Sequence, residues 1–171
     1  MTIGGVSYAV METSDSSGGA WVEVLNGPVG LRCWWADPLT CRDDIDAKSS
    51  ASRVYVVLPE VFGVNAWVRS VADRLAANGY PALAVPLFAR TAPGLELAYE
   101  PSDLAQGRRH KDATTTEQIL SDVAAALDWL RTRHPAAAIH VVGFCFGGHA
   151  AFLAATLPGV EHAFDFYGAG V

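Results

Sequence analysis

Ile139-His140-Val141-Val142-Gly143-Phe144-Cys145-Phe146-Gly147-Gly148 decides the fold. A short apolar run reads as a buried strand, Gly-x-Cys-x-Gly as a sharp turn, and the alanine-rich continuation from Gly147 to Leu157 as a helix. This is a nucleophile elbow with cysteine where serine is usual. Glycines flank the central residue because side chains there would strike the neighbouring strand and helix. Cys145 is thereby presented at the carboxyl end of the strand and at the N-terminus of the helix, where the helix dipole favours a thiolate. The backbone N–H of Phe146 is placed to face a developing oxyanion. The competing reading is a buried structural cysteine in a tight turn; a five-residue pattern set between strand and helix favours the functional one.

Outward from the elbow, the chain alternates short apolar runs with 3.6-period stretches, the texture of βα units on a buried parallel sheet. Val54 to Leu58 reads as a strand, and Asn65 as the cap of a helix carrying Trp67, Val68, Val71, Leu75 and Ala76 up to Gly79. Pro81 to Val85 is the next strand. From Pro86 to about Ala113 no period is visible, so a long irregular loop is expected. Thr116 and its neighbouring threonines open a helix with Ile119, Leu120, Val123, Leu127 and Leu130 on one face, stopped at His134-Pro135. Val160 to Tyr167 is a last parallel strand. Before all of these, Trp21 to Leu25 and Val29 to Trp35 flank Asn26-Gly27-Pro28 as an antiparallel hairpin. Asp37 to Arg53, with Asp43, Asp44 and Asp46, reads as a solvated surface connection.

Composition sets the outer limits. The chain has 171 residues, 51% hydrophobic and 18% charged, with mean hydropathy +0.21, enough apolar material for one buried core. Its formal charge of -6 repels a phosphate backbone, so no nucleic-acid partner is expected. The N-terminal stretch lacks the basic and apolar regions of a secretory leader, and no run is long enough to span a bilayer; a cytoplasmic protein without a membrane partner is expected. The cysteines Cys33, Cys41 and Cys145 form neither an even set nor a Cys-x-x-Cys pair, so neither disulfides nor a metal site are expected.

A second motif, Pro59-Glu60-Val61-Phe62-Gly63-Val64-Asn65, lies at the carboxyl end of the first parallel strand, the edge where open α/β sheets place their sites. Together with Leu87-Phe88-Ala89-Arg90-Thr91-Ala92-Pro93-Gly94, the elbow, and Phe166-Tyr167-Gly168, it resembles the dienelactone hydrolases, a branch of the α/β-hydrolases. The resemblance covers about residues 54 to 171. It implies that Cys145 attacks a lactone or ester carbonyl, that Glu60 helps generate the thiolate when substrate displaces its partner, and that Val61 and Phe146 supply the oxyanion-hole N–H groups. It also implies that Arg90 binds a substrate carboxylate and that no cofactor is needed. On residues alone, Glu60 and Arg90 read as ordinary solvated side chains.

The expected architecture is a single domain over residues 1–171, with an α/β-hydrolase fold: a mostly parallel sheet, an N-terminal antiparallel hairpin, and a truncated C-terminal side. In this fold the triad runs nucleophile, acid, histidine. Only 26 residues follow Cys145, and His149, Glu161, His162 and Asp165 among them sit on a helix or strand instead of a triad loop. His149, His162 and Asp165 therefore read as structural, as do His134 and His140, and His110 reads as part of a solvated basic cluster. The chain alone is expected to be inactive, and a second polypeptide segment, or a copy, is expected to cover the last strand. Two alternatives stand beside a cysteine lactone hydrolase: a non-catalytic half-protein that pairs with another chain, and a glutamine amidotransferase-like cysteine enzyme.

Overall fold

Gly27, at φ 58°, turns the chain between β1 (Gly19–Asn26) and β2 (Val29–Ala36), an antiparallel hairpin closed by the pair Asn26 and Val29. A two-residue turn of this kind needs positive φ at its first position, which glycine supplies. The structure is a computed structural model describing residues 18–38 and 52–168. The reading of the N-terminal stretch as lacking a leader, Cys41, and the acidic run at 43–46 lie outside those residues.

The hairpin joins the main sheet through β2, which pairs antiparallel with β4 (Ala82–Ala84). Next come β3 (Arg53–Leu58), β5 (Ala138–Phe144) and β6 (Val160–Phe166), all parallel, so the sheet order is β1-β2-β4-β3-β5-β6. Both faces of the central strands are covered, and alternation sends successive residues to different cores. Val54, Val56 and Leu58 of β3 pack with Val141, Leu83 and Leu31 on one face. Val57 joins Ala82, Ala84, Val142 and Trp34 on the other.

The second face is closed by α1 (Ala66–Ala77), which buries Val68, Ala72 and Ala76. Asn65 caps it by accepting the Val68 N–H, and Gly79, at φ 89°, follows its end. The first face is closed by α3 (Thr116–Arg133), which buries Ile119, Val123, Ala126, Leu127 and Leu130. Thr115 and Gln118 form a reciprocal capping box at its start, a contribution of about 1 kcal/mol. Trp34 and Trp35 lock the hairpin to both layers: Trp34 Nε1 donates to Asp73 on α1 at 2.8 Å, and Trp35 packs edge-on against Trp129 of α3.

The segment expected to be wholly irregular contains a helix, α2 (Pro101–Asp112). Its one buried residue is Gly107, so it has no apolar stripe to give a 3.6-residue period. Its ends follow helix chemistry all the same, with Pro101 in the first turn and Arg109, His110 and Lys111 in the last, complementing the dipole. The last helix, α4 (Phe146–Ala154), sits between β5 and β6. Beyond it, β6 is the edge of the sheet, with Phe164 and Phe166 exposed at 43% and 48%.

Candidate active site

Cys145 lies between β5 and α4 with φ 53° and ψ -115°, a region that side chains rarely enter. It is held there from both sides. Its N–H donates to the Phe166 carbonyl at 3.0 Å, and its own carbonyl accepts from Gly148 and His149 at 2.9 and 3.2 Å. A methyl group on Gly143 would land on the Gly147 carbonyl, and one on Gly147 would land on the carbonyl oxygens of Leu58 and Pro59. Both glycines are thus obligatory, and the second lets α4 start directly against the end of β3. Partly exposed Cys145 is the N-cap residue of a helix whose leading N–H groups have no intrahelical acceptors, although its side chain makes no capping hydrogen bond. Phe146, the first of these residues, is buried and stacks on Phe88 at 5.7 Å.

Register brings Glu60 to the same corner. Leu58 of β3 pairs with Gly143 of β5, and Glu60 and Cys145 each lie two residues beyond that pair. Glu60 Oε2 accepts a hydrogen bond from Tyr99 Oη at 2.8 Å, and Tyr167 Oη lies 3.5 Å from Oε1. Burial, followed by the charges of Glu60 and Cys145, raises the Tyr167 phenol. Val61, next to Glu60, is buried, and Gly107 of α2 packs against its backbone so closely that a methyl group there would strike the Val61 carbonyl.

Arg90 has a different neighbour. Its guanidinium is ion-paired with Asp122 of α3, which is 1% exposed and also accepts from Asn26 Nδ2 at 2.7 Å. Two donors from separate elements satisfy a carboxylate that would otherwise be costly to bury.

The model of the dienelactone hydrolase family matches residues 45–171. The chain belongs to the dienelactone hydrolase family. A Synechocystis protein is 41% identical over 120 residues, covering 69% of this chain and 49% of its own length, and the Pseudomonas putida carboxymethylenebutenolidase is 36% identical over 122 residues, covering 69% and 51%. The chain spans about half the length of these curated relatives. A crystal structure of a Klebsiella pneumoniae dienelactone hydrolase homologue superposes with TM-score 0.71 at 24% identity, over 90% of this chain and 60% of that one, a likeness of fold.

Within this family member the histidines are placed as follows. His149 stacks on Phe146, its Nδ1 buried without a hydrogen-bond partner among the described residues, and His162 and Asp165 lie on exposed β6. His110 ends α2, with Nδ1 3.2 Å from Thr91 Oγ1. Among the described residues no group of three or more His, Cys, Asp or Glu side chains is gathered to hold a metal ion, and no helix is long and apolar enough to cross a membrane.

Three residues that contact the expected site residues escaped sequence reasoning. Tyr99 fell in the segment without periodicity, where nothing marks one tyrosine above another. Tyr167 stood inside a quoted motif, but its approach to Glu60 spans 107 residues. Asp122 did leave a signal: it sits among the buried positions of α3, between Ile119 and Val123, where a carboxylate requires a partner.

Proposed function

We propose that this chain carries the nucleophile half of a lactone or ester hydrolase whose nucleophile is Cys145. One observation carries the reading: a partly exposed cysteine in a strained conformation between two obligatory glycines, at the carboxyl end of a central strand and the start of a helix. The Cys145 thiolate attacks the carbonyl carbon of the ester, and the oxygen takes up negative charge facing the N–H groups of Phe146 and Val61. Collapse expels the alkoxide, leaves a thioester on Cys145, and hydrolysis by water frees the acid and the thiol. Glu60 acts on the thiol proton when substrate displaces its phenol partners. Arg90 meets the carboxylate of an anionic lactone, held in place by Asp122.

A base that shuttles the proton, with its orienting acid, comes from a further segment, in keeping with relatives about twice the matched length. The exposed aromatic edge at β6 supports the same arrangement, because an unpaired strand offers backbone donors and acceptors to an added one. Family membership favours this branch over the amidotransferase alternative.

Brief, limiting iodoacetamide treatment followed by peptide mapping tests the assignment. Cys145 is expected to be modified first, since burial pushes the Cys33 thiol well up. The 171-residue chain is expected to turn over dienelactone poorly. Earlier modification of Cys33 or Cys41, or full turnover that survives Cys145→Ser, would overturn the reading.

A further inference from the structure

At the end of the sheet remote from β6, the hairpin is tied to α3 at two places. Asn26 Nδ2 donates to Ser121 Oγ at 2.8 Å and to Asp122 Oδ1 at 2.7 Å, and Trp35 packs edge-on against Trp129 with ring centroids 5.2 Å apart. Ser121 and Trp129 stand about 12 Å apart along the helix, and between them α3 offers the hairpin the small side chains of Ala124 and Ala125. The space left over is a pocket of about 490 Å³, with Leu25, 59% exposed, beside it and Asp128 at its rim ion-paired to Arg131. Trp129 forms one wall. Its indole is 8% exposed and is fixed by Trp35 and by the Arg133 guanidinium 3.5 Å above the ring centroid, yet its Nε1–H is buried without a hydrogen-bond partner among the described residues. An indole N–H only donates, so what it lacks is an acceptor, and a buried donor in that condition is uncommon. Ser121 adds a second donor, because its oxygen accepts from Asn26 and its own hydroxyl hydrogen remains for another acceptor.

We propose that this pocket is a second binding site, separate from Cys145, for a small uncharged carbonyl compound whose oxygen accepts from Trp129 Nε1–H and whose apolar body lies on Ala124 and Leu25. The walls select that class. An unpartnered donor calls for an acceptor, and alanine and leucine surfaces call for an apolar body around it. No lysine or arginine lines the space to meet an anion. The two nearby carboxylates, Asp128 at the rim and Asp122 behind Asn26, already hold Arg131 and Arg90. They repel a negatively charged ligand. The volume falls within the range of small-molecule sites. Only β1, the Asn26–Gly27 turn and α3 build the pocket, so it depends neither on the role of Cys145 nor on what pairs with β6.

The test follows the indole N–H resonance of Trp129 by nitrogen–proton NMR in the isotope-labelled full chain, assigned by its loss in Trp129→Phe. Three probes of nearly equal size are titrated: acetophenone, α-methylstyrene, in which a methylene group replaces the carbonyl oxygen, and benzoate. Acetophenone is expected to move the resonance downfield to saturation. Without an acceptor, α-methylstyrene is expected to bind about fivefold more weakly and to give no downfield shift, and benzoate to leave the resonance in place. Ala124 is partly buried on a helix that accepts leucine readily, so Ala124→Leu fills the space without disturbing the core. That variant is expected to abolish the acetophenone shift while its melting temperature and its Cys145 alkylation rate stay unchanged. No saturable shift with acetophenone, binding of either other probe as tight as acetophenone, or a shift that survives Ala124→Leu overturns the site.

Discussion

Gly143 and Gly27 show why one glycine differs from another. Both precede a change of chain direction, but a side chain at Gly27 meets nothing within 4 Å, whereas at Gly143 it meets the backbone of Gly147. The cost at Gly27 is only the φ of 58°, about 1 kcal/mol; at Gly143 the start of α4 must move. Gly143→Ala is therefore expected to lower the free energy of urea unfolding by about 3 kcal/mol, against about 1 kcal/mol for Gly27→Ala. Equal losses for the two variants would show that the elbow tolerates displacement. Arg90 belongs to the same scale: removing it strands a carboxylate that is 1% exposed, so its substitution perturbs the core as well as any substrate contact.

At the scale of elements, the central strands carry a ladder that crosses three of them. Tyr55 of β3, His140 of β5 and His162 of β6 are register neighbours, with ring centroids 5.2 Å apart at each step. His140 is 6% exposed and neither ring nitrogen finds a hydrogen-bond partner among the described residues. Burial, then His162 and Arg53, hold its imidazole below the ordinary value of 6.5, against a smaller opposing pull from Glu161. The folded state thus favours the neutral ring and the unfolded chain takes up the proton more readily. Stability is accordingly full above about pH 6.5 and falls as the pH drops below it. His134, also pushed down by burial, acts in the same direction. The melting temperature is expected to decline between pH 7.5 and 5.5, and the decline to be shallower in His140→Phe; parallel profiles for the two proteins would refute the assignment. Legibility also varied by element: α1 and α3 announced themselves through caps and an apolar stripe, whereas α2, whose one buried residue is Gly107, had no stripe to read.

On the scale of the whole molecule, the sheet is asymmetric. At one end the hairpin closes it with Trp34 and Trp35 packed into both layers; at the other, β6 leaves Phe164, Phe166 and Tyr167 43%, 48% and 63% exposed. An aromatic edge strand that has no neighbour on its outer side among the described residues pairs readily with another strand. The isolated chain is expected to associate as concentration rises in light-scattering measurements, and Phe164→Lys to weaken that association. A monomer at high concentration for the parent chain would refute the expectation.

What the sequence determined by itself is what short-range chemistry enforces. The elbow at Cys145, the turn at Gly27, the caps at Asn65 and Thr115 and the buried strands depend on residues within a few positions of one another, so local pattern suffices to read them. The tertiary structure alone decided who meets at the site. Tyr99 reaches Glu60 across 39 positions, Tyr167 approaches it across 107, and Arg90 finds Asp122 across 32. Those meetings follow from the order β4-β3-β5-β6, which sets the ends of β3 and β5 side by side and brings β6 up to the elbow. Strand order is fixed by how all the elements bury their apolar faces together, a balance no single stretch of sequence contains.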